Sequence, residues 1–225
     1  MVRGLVIGPW GMVLGCALWI SSVAHAIGPS HTAGPIEAPS YVSAPIQATF
    51  QGQTLTYIAH HRPLTIEGPH GLAGAVIYAT EYLVQTPDTH PRPVIFIWNG
   101  GPSVASTTLH MAGFGPKRLV IPEDVSQPIE PPFVLEDNPD TLLDRFDLVF
   151  IDPPEAGLSR ALSPESKKWL YSAEGDARIM ATFITQWLAT HQRQDAPYYL
   201  MGTSYGSIRA AIMTRQMAEQ PNPPA

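Results

Sequence analysis

Cysteine is nearly absent: Cys16 is the only one in 225 residues, so the chain can close no internal disulfide. Basic residues are scarce as well. Thirteen Lys and Arg stand against 19 Asp and Glu, for a net charge of −6, and no basic cluster offsets that balance. This argues against a nucleic-acid partner or an anionic membrane surface. There is no H-E-x-x-H pattern and no close histidine pair at helical spacing, so neither a metal nor another cofactor is expected. Internal repeats are missing too. Proline (24) and glycine (18) exceed ordinary usage without reaching low complexity, and the length suits one domain.

What is present begins with an unusual start. Met1-Val2-Arg3 is short and basic, residues 4–23 are apolar and uncharged, and Ala24-His25-Ala26 has the small-x-small form of a signal-peptidase site. Residues 1–26 therefore read as a secretory signal cut after Ala26, with a secreted or periplasmic product and no stable membrane partner after cleavage. Two alternatives stand beside it. The apolar stretch is long enough for an uncleaved anchor, which Pro9 and the glycines disfavour. Val13-Leu14-Gly15 before Cys16 suggests a lipoprotein, but the residues after Cys16 stay apolar.

Residues 27–48, rich in Pro, Ser and Ala and without strand or helix period, read as an extended leader before a domain over 49–225. Residues 54–59 and 75–83 read as antiparallel strands, and 93–98 (PVIFIW) as a buried strand stopping at Asn-Gly-Gly-Pro. Residues 121–140 are proline-rich and acidic, a long surface loop. Residues 147–151 and 198–201 are two further buried strands. Residues 176–191 carry Met180, Phe183, Ile184, Trp187 and Leu188 at the spacing of an amphipathic helix, and another helix continues through Ile208, Ala211 and Ile212. Buried strands alternating with helices predict an α/β fold, a mostly parallel sheet covered on both faces.

Gly202-Thr203-Ser204-Tyr205-Gly206 matches G-x-S-x-G with a strand running in and a helix running out, the context of a nucleophile elbow. Such a turn strains the serine and leaves no room for side chains beside it, hence the glycines. It also lifts the hydroxyl to a helix N-terminus, where backbone N–H groups favour developing negative charge. Tyr205 can donate one such N–H to an oxyanion, and Asn99-Gly100-Gly101-Pro102, at the end of another strand, can supply a second. The bland readings are an ordinary glycine-bounded turn with an incidental serine, and a tight Asn-Gly turn without function.

WNGGP, then DNPDTLLDRFDLVFIDP, then YYLMGTSYG with RAA shortly after resemble, in this order and spacing, the serine carboxypeptidase family, especially its bacterial secreted members. The resemblance runs from about residue 54 to 215. It implies an α/β-hydrolase fold and release of C-terminal residues from peptides through an acyl-enzyme. Carried over, Ser204 is the nucleophile, the N–H groups of Gly101 and Tyr205 form the oxyanion hole, and Asn99 binds the substrate's terminal carboxylate, with Gly100 and Thr203 beside it. The departures fall in the same place. The family has glutamate where this chain has Thr203, and a partner acid where this chain has Ala112-Gly113. Ser103 replaces a glycine, and Pro154-Glu155-Ala156-Gly157 replaces V-G-T-G. These changes leave open an esterase or acyltransferase on the same fold, acting on a small ester rather than a peptide, or a non-catalytic relic.

One component is missing. Hydrolases of this fold order their triad as serine, acid, histidine, yet none of the 21 residues after Ser204 is histidine and the single carboxylate there, Glu219, sits far down the helix, a solvated surface charge. Upstream, His110 follows the glycine-rich loop but reads better as a packed loop residue, and His191 ends a helix, where a cation suits the dipole. The expectation is a chain corresponding to the N-terminal half of a serine carboxypeptidase-like protein, with the later strands, acid and histidine absent; its oligomeric state is not legible.

Overall fold

Two apolar pentapeptides explain the centre of the molecule. VIFIW and DLVFI have no polar face, so both sides of each must be covered, which only an inner strand of a layered sheet achieves. The computed structural model describes residues 39–87, 90–122, 124, 126–128 and 130–219, so Cys16 and the stretch read as a secretory signal lie outside the described residues. In it the strands are β1 (Tyr41–Val42), β2 (Ile46–Phe50), β3 (Gln53–Ile66), β4 (Ala75–Val84), β5 (Val94–Trp98), β6 (Lys117–Leu119), β7 (Leu135–Asp137), β8 (Asp147–Ile151), β9 (Arg160–Ala161) and β10 (Tyr198–Gly202). The helices are α1 (Thr107–Leu109), α2 (Pro164–Leu170), α3 (Ala173–Thr190) and α4 (Tyr205–Ala218). Every residue of β5 and β8 is buried.

The main sheet runs β1-β3-β4-β8-β5-β10, with β2 also on β3 and β9 also on β4. It is mixed: β8, β5 and β10 are parallel, and the β1–β4 side is antiparallel. Side chains alternate across the sheet. Phe96 and Trp98 of β5 face a core with Phe183, Trp187 and Met213, whereas Ile95 and Ile97 face a second core with Phe50, Tyr57, Leu143 and Phe150. Each such side chain taken from water contributes about 1.5–3 kcal/mol.

The chain leaves β5, returns in β8 on one side of it, and returns again in β10 on the other. Open α/β sheets bind ligands at such a reversal of direction, beyond the carboxyl ends of the strands, here β5 and β10. The register pairs Trp98 with Gly202, so the loops after the two strands emerge side by side.

Helix α3 covers one face with Ile179, Met180, Phe183, Ile184, Trp187 and Leu188 buried. It starts at Ala173, three residues before the start read from sequence at residue 176, because the Ser172 hydroxyl accepts from the Gly175 N–H and caps it there. Strand β3 runs well beyond its expected end at residue 59, since its ladder with β4 continues from Tyr57–Val84 to Ile66–Ala75. β1 and most of β2 fall inside the stretch read as a leader without period; β1 adds only edge hydrogen bonds to β3, whereas β2 alternates and buries Ala48 and Phe50 in the second core. Within the loop expected over 121–140, exposed β7 pairs with β6 and carries the ion pairs Lys117–Asp137 and Arg118–Glu136. Among the described residues, no helix is long and apolar enough to cross a membrane.

Candidate active site

Ser204 stands between β10 and α4 with φ 53° and ψ −123°. A non-glycine residue holds such a conformation only where its surroundings enforce it, at a cost of about 1–3 kcal/mol. The flanking glycines show how. A Cβ at Gly202 would lie 2.5 Å from the Gly206 carbonyl oxygen and 2.6 Å from Trp98 Nε1, and one at Gly206 would lie 2.9 Å from Trp98 Cδ1. The Trp98 indole, wholly buried, donates from Nε1 to the Gly206 carbonyl at 3.0 Å and so locks the turn to β5. Gly206 N–H donates to the Thr203 carbonyl at 2.7 Å and Ser207 N–H to the Ser204 carbonyl at 2.9 Å. Tyr205 is the first residue of α4, where helical N–H groups have no carbonyl four residues back to bond.

The glycine-rich loop meets this turn directly. A Cβ on Gly100 would stand 2.6 Å from Ser204 Cβ, and Gly100 N–H donates to Thr203 Oγ1 at 3.2 Å. Gly101 turns the loop with φ 61°, a left-handed conformation. Asn99 is buried, and its Oδ1 accepts from the Leu109 N–H at 3.1 Å, which leaves the amide NH2 as the group able to serve an incoming anion. Ser204, Tyr205, Gly100, Gly101, Asn99 and Thr203 thus come from two loops that the sheet places against each other. Such an arrangement suits acyl transfer: a hydroxyl at a helix N-terminus, with backbone donors available to a developing oxyanion.

Three of the histidines, His61, His110 and His191, are engaged elsewhere. His110 is buried in a π-helical turn (His110–Phe114), bonds the Tyr82 hydroxyl at 2.6 Å and stacks on Phe150. Burial, aided by His61, lowers its pKa to about 4, so it stays neutral. His61 bonds Thr80 Oγ1 at 3.0 Å. His191 caps α3, donates from Nδ1 to the Trp187 carbonyl at 2.7 Å, and turns Nε2 to the Arg62 guanidinium beside buried Glu81. Glu219 ends α4 in an exposed ion pair with Arg215. No group of acidic, histidine or cysteine side chains suited to a metal occurs among the described residues.

Sequence reasoning missed one pair beside the site. Arg209 Nε donates to Asp176 Oδ2 at 2.8 Å and its Nη2 to the Pro102 carbonyl at 3.0 Å, both side chains almost wholly buried. Burial pushes the Asp176 carboxyl up, against the pull of Arg209. The available signal was a cation on the buried stripe of α4, with Gly206, Met213 and Met217.

Comparison with curated proteins finds no significant match. The family model described as serine carboxypeptidase matches residues 79–223, from β4 through α4, which takes in both loops of the site. With an α/β fold, a strained serine between two glycines and a glycine-rich loop packed on it, the chain belongs to the serine carboxypeptidase family.

Proposed function

We propose that the protein is an exported serine-type carboxypeptidase that releases C-terminal residues of peptides through an acyl-enzyme. The observation that carries this reading is Ser204 at φ 53°, ψ −123°, with Gly100 packed against it. Ser204 Oγ attacks the scissile carbonyl, and its proton passes to a general base. The N–H groups of Gly101 and Tyr205 receive the oxyanion, and the Asn99 amide and Thr203 hydroxyl receive the terminal carboxylate. Collapse of the tetrahedral adduct expels the amine, and water then releases the acyl group by the same steps in reverse order. His61, His110 and His191 are held by other partners, so the base is a residue other than these three.

A second reading, an esterase or acyltransferase on the same fold, draws on Thr203. A hydroxyl that accepts the Gly100 N–H stands where the family has a carboxyl, so the grip on a terminal carboxylate loses its paired acids. Labelling with a fluorophosphonate tests both, on the protein as its gene expresses it. Rapid labelling abolished by Ser204→Ala supports an enzyme. Absence of labelling sinks both readings in favour of a non-catalytic protein. Hydrolysis of a free-carboxylate peptide over its C-terminal amide then separates the first reading from the second.

A further inference from the structure

Arg209 and Asp176 are shut off from solvent, with side-chain exposures of 0% and 6%. As a device for joining α4 to α3 such a pair is poor, because desolvation offsets most of the attraction and an apolar pair of similar volume holds as well or better. It is also incompletely satisfied: Arg209 Nη1 and Asp176 Oδ1 are buried without a hydrogen-bond partner. What the guanidinium does that no apolar side chain could is reach the two strands of chain that build the site. Its Nη2 donates to the Pro102 carbonyl at 3.0 Å, and its carbon lies 5.3 Å from the centroid of the Tyr205 ring. Pro102 follows Gly101, and Tyr205 follows Ser204. Arg209 therefore touches the residue next to one oxyanion donor and the residue that carries the other.

We propose that Arg209, oriented by Asp176, is a positioning residue that fastens the glycine-rich loop to the first turn of α4 and so sets the separation of the Gly101 and Tyr205 N–H groups. The fastening is a statement about the loop; its catalytic consequence rests on the reading of Ser204 as nucleophile. The other ties to the loop cannot replace it. The Gly100–Thr203 bond is exposed to competing water, and Asn99 ties the loop only to the turn that follows it. The guanidinium presents several donors in a rigid plane, so one edge can be held by a carboxylate while another holds a carbonyl.

The double variant Asp176→Leu/Arg209→Met replaces the pair by apolar groups and leaves no buried charge unpaired. It is expected to melt cooperatively near the wild-type temperature while amides of residues 99–103 exchange hydrogen at least about tenfold faster, because their local opening is no longer opposed. Its maximal rate of fluorophosphonate labelling should fall about 10²-fold, the loss typical of one oxyanion donor, with the reversible binding constant of the probe little changed. Arg209→Lys, which retains one charged donor, should recover part of both losses. A folded double variant with wild-type loop exchange and wild-type labelling rate overturns the proposal. If the double variant does not fold, Arg209→Lys decides: intermediate exchange supports the fastening, and wild-type exchange with wild-type labelling overturns it. If wild-type protein is not labelled at Ser204, the hydrolase reading fails, and the exchange of residues 99–103 still decides whether Arg209 holds the loop.

Discussion

Gly100 abuts Ser204 so closely that a Cβ on the glycine would stand 2.6 Å from the serine Cβ and 2.5 Å from the Thr203 carbonyl oxygen. Both obstacles are backbone or the first atom of a side chain, so neither can swing away. Gly100→Ala is expected to push the two loops apart, destabilising the protein by about 1–3 kcal/mol and lowering Ser204 labelling at least tenfold. Denaturant melts with parallel labelling check it; an alanine variant with wild-type labelling would show that the loops do not act together.

Strain at Ser204 makes a second, separable prediction. Glycine adopts φ 53°, ψ −123° without strain, whereas alanine, like serine, holds it only at a cost. Ser204→Gly should therefore be more stable than Ser204→Ala, by about 1 kcal/mol, while both lose all labelling. Equal urea midpoints for the two variants would mean that the turn holds no strain.

His110 links stability to pH. Burial depresses its pKa from 6.5 to about 4 in the folded protein, so between those values the unfolded chain binds a proton that the folded chain does not. The stabilisation is complete above the unfolded pKa and is lost as pH falls through this window, by roughly 3 kcal/mol at most. Urea unfolding at pH 7 and pH 4.5 should show a larger loss for the wild type than for His110→Gln. An equal loss in both would remove His110 from the account.

If substrate is held by Thr203 and Asn99, binding needs no proton shared between two acids. KM for peptides is then expected to stay nearly flat between about pH 5 and pH 7, where a coupled carboxyl pair would lose its grip. Thr203→Glu should introduce acid dependence. A steep rise of wild-type KM across that interval contradicts the assignment.

Asp147 opens β8 fully buried, accepting from Arg92 at 3.3 Å, Arg193 at 2.9 Å and the Val84 N–H at 2.9 Å. It ties the starts of β8 and β5 to the end of β4. Asp147→Ala would strand two partly buried guanidinium groups, at a cost of about 3–5 kcal/mol, readable as a drop in melting temperature. A loss below 1 kcal/mol would mean that both arginines turn out to solvent.

Local pattern was enough for much of this molecule. VIFIW and DLVFI announce strands covered on both faces, and the glycines around Ser204 announce a turn without room for side chains, because burial and backbone freedom are properties of neighbouring residues. The loop motif at Asn99-Gly100-Gly101 was legible for the same reason. Partners distant in sequence were not. Strand β3 runs on to Ile66 because β4 lies beside it, and β1 forms because β3 offers an edge. β2 did carry a signal, the alternation Ile46-Gln47-Ala48-Thr49-Phe50, which straddles the end of the stretch read as a leader. Periodicity pointed to Ile208, Ala211 and Ile212 as the inner face of α4, yet Ile208 and Ala211 are exposed and Gly206, Arg209, Met213 and Met217 are buried. Nor can it tell that Arg209 meets Asp176 and the Pro102 carbonyl, or that His110 bonds Tyr82. Hydrogen bonds between side chains are directional and nonlocal, so the packing of the sheet and its helices had to exist before those contacts were decided.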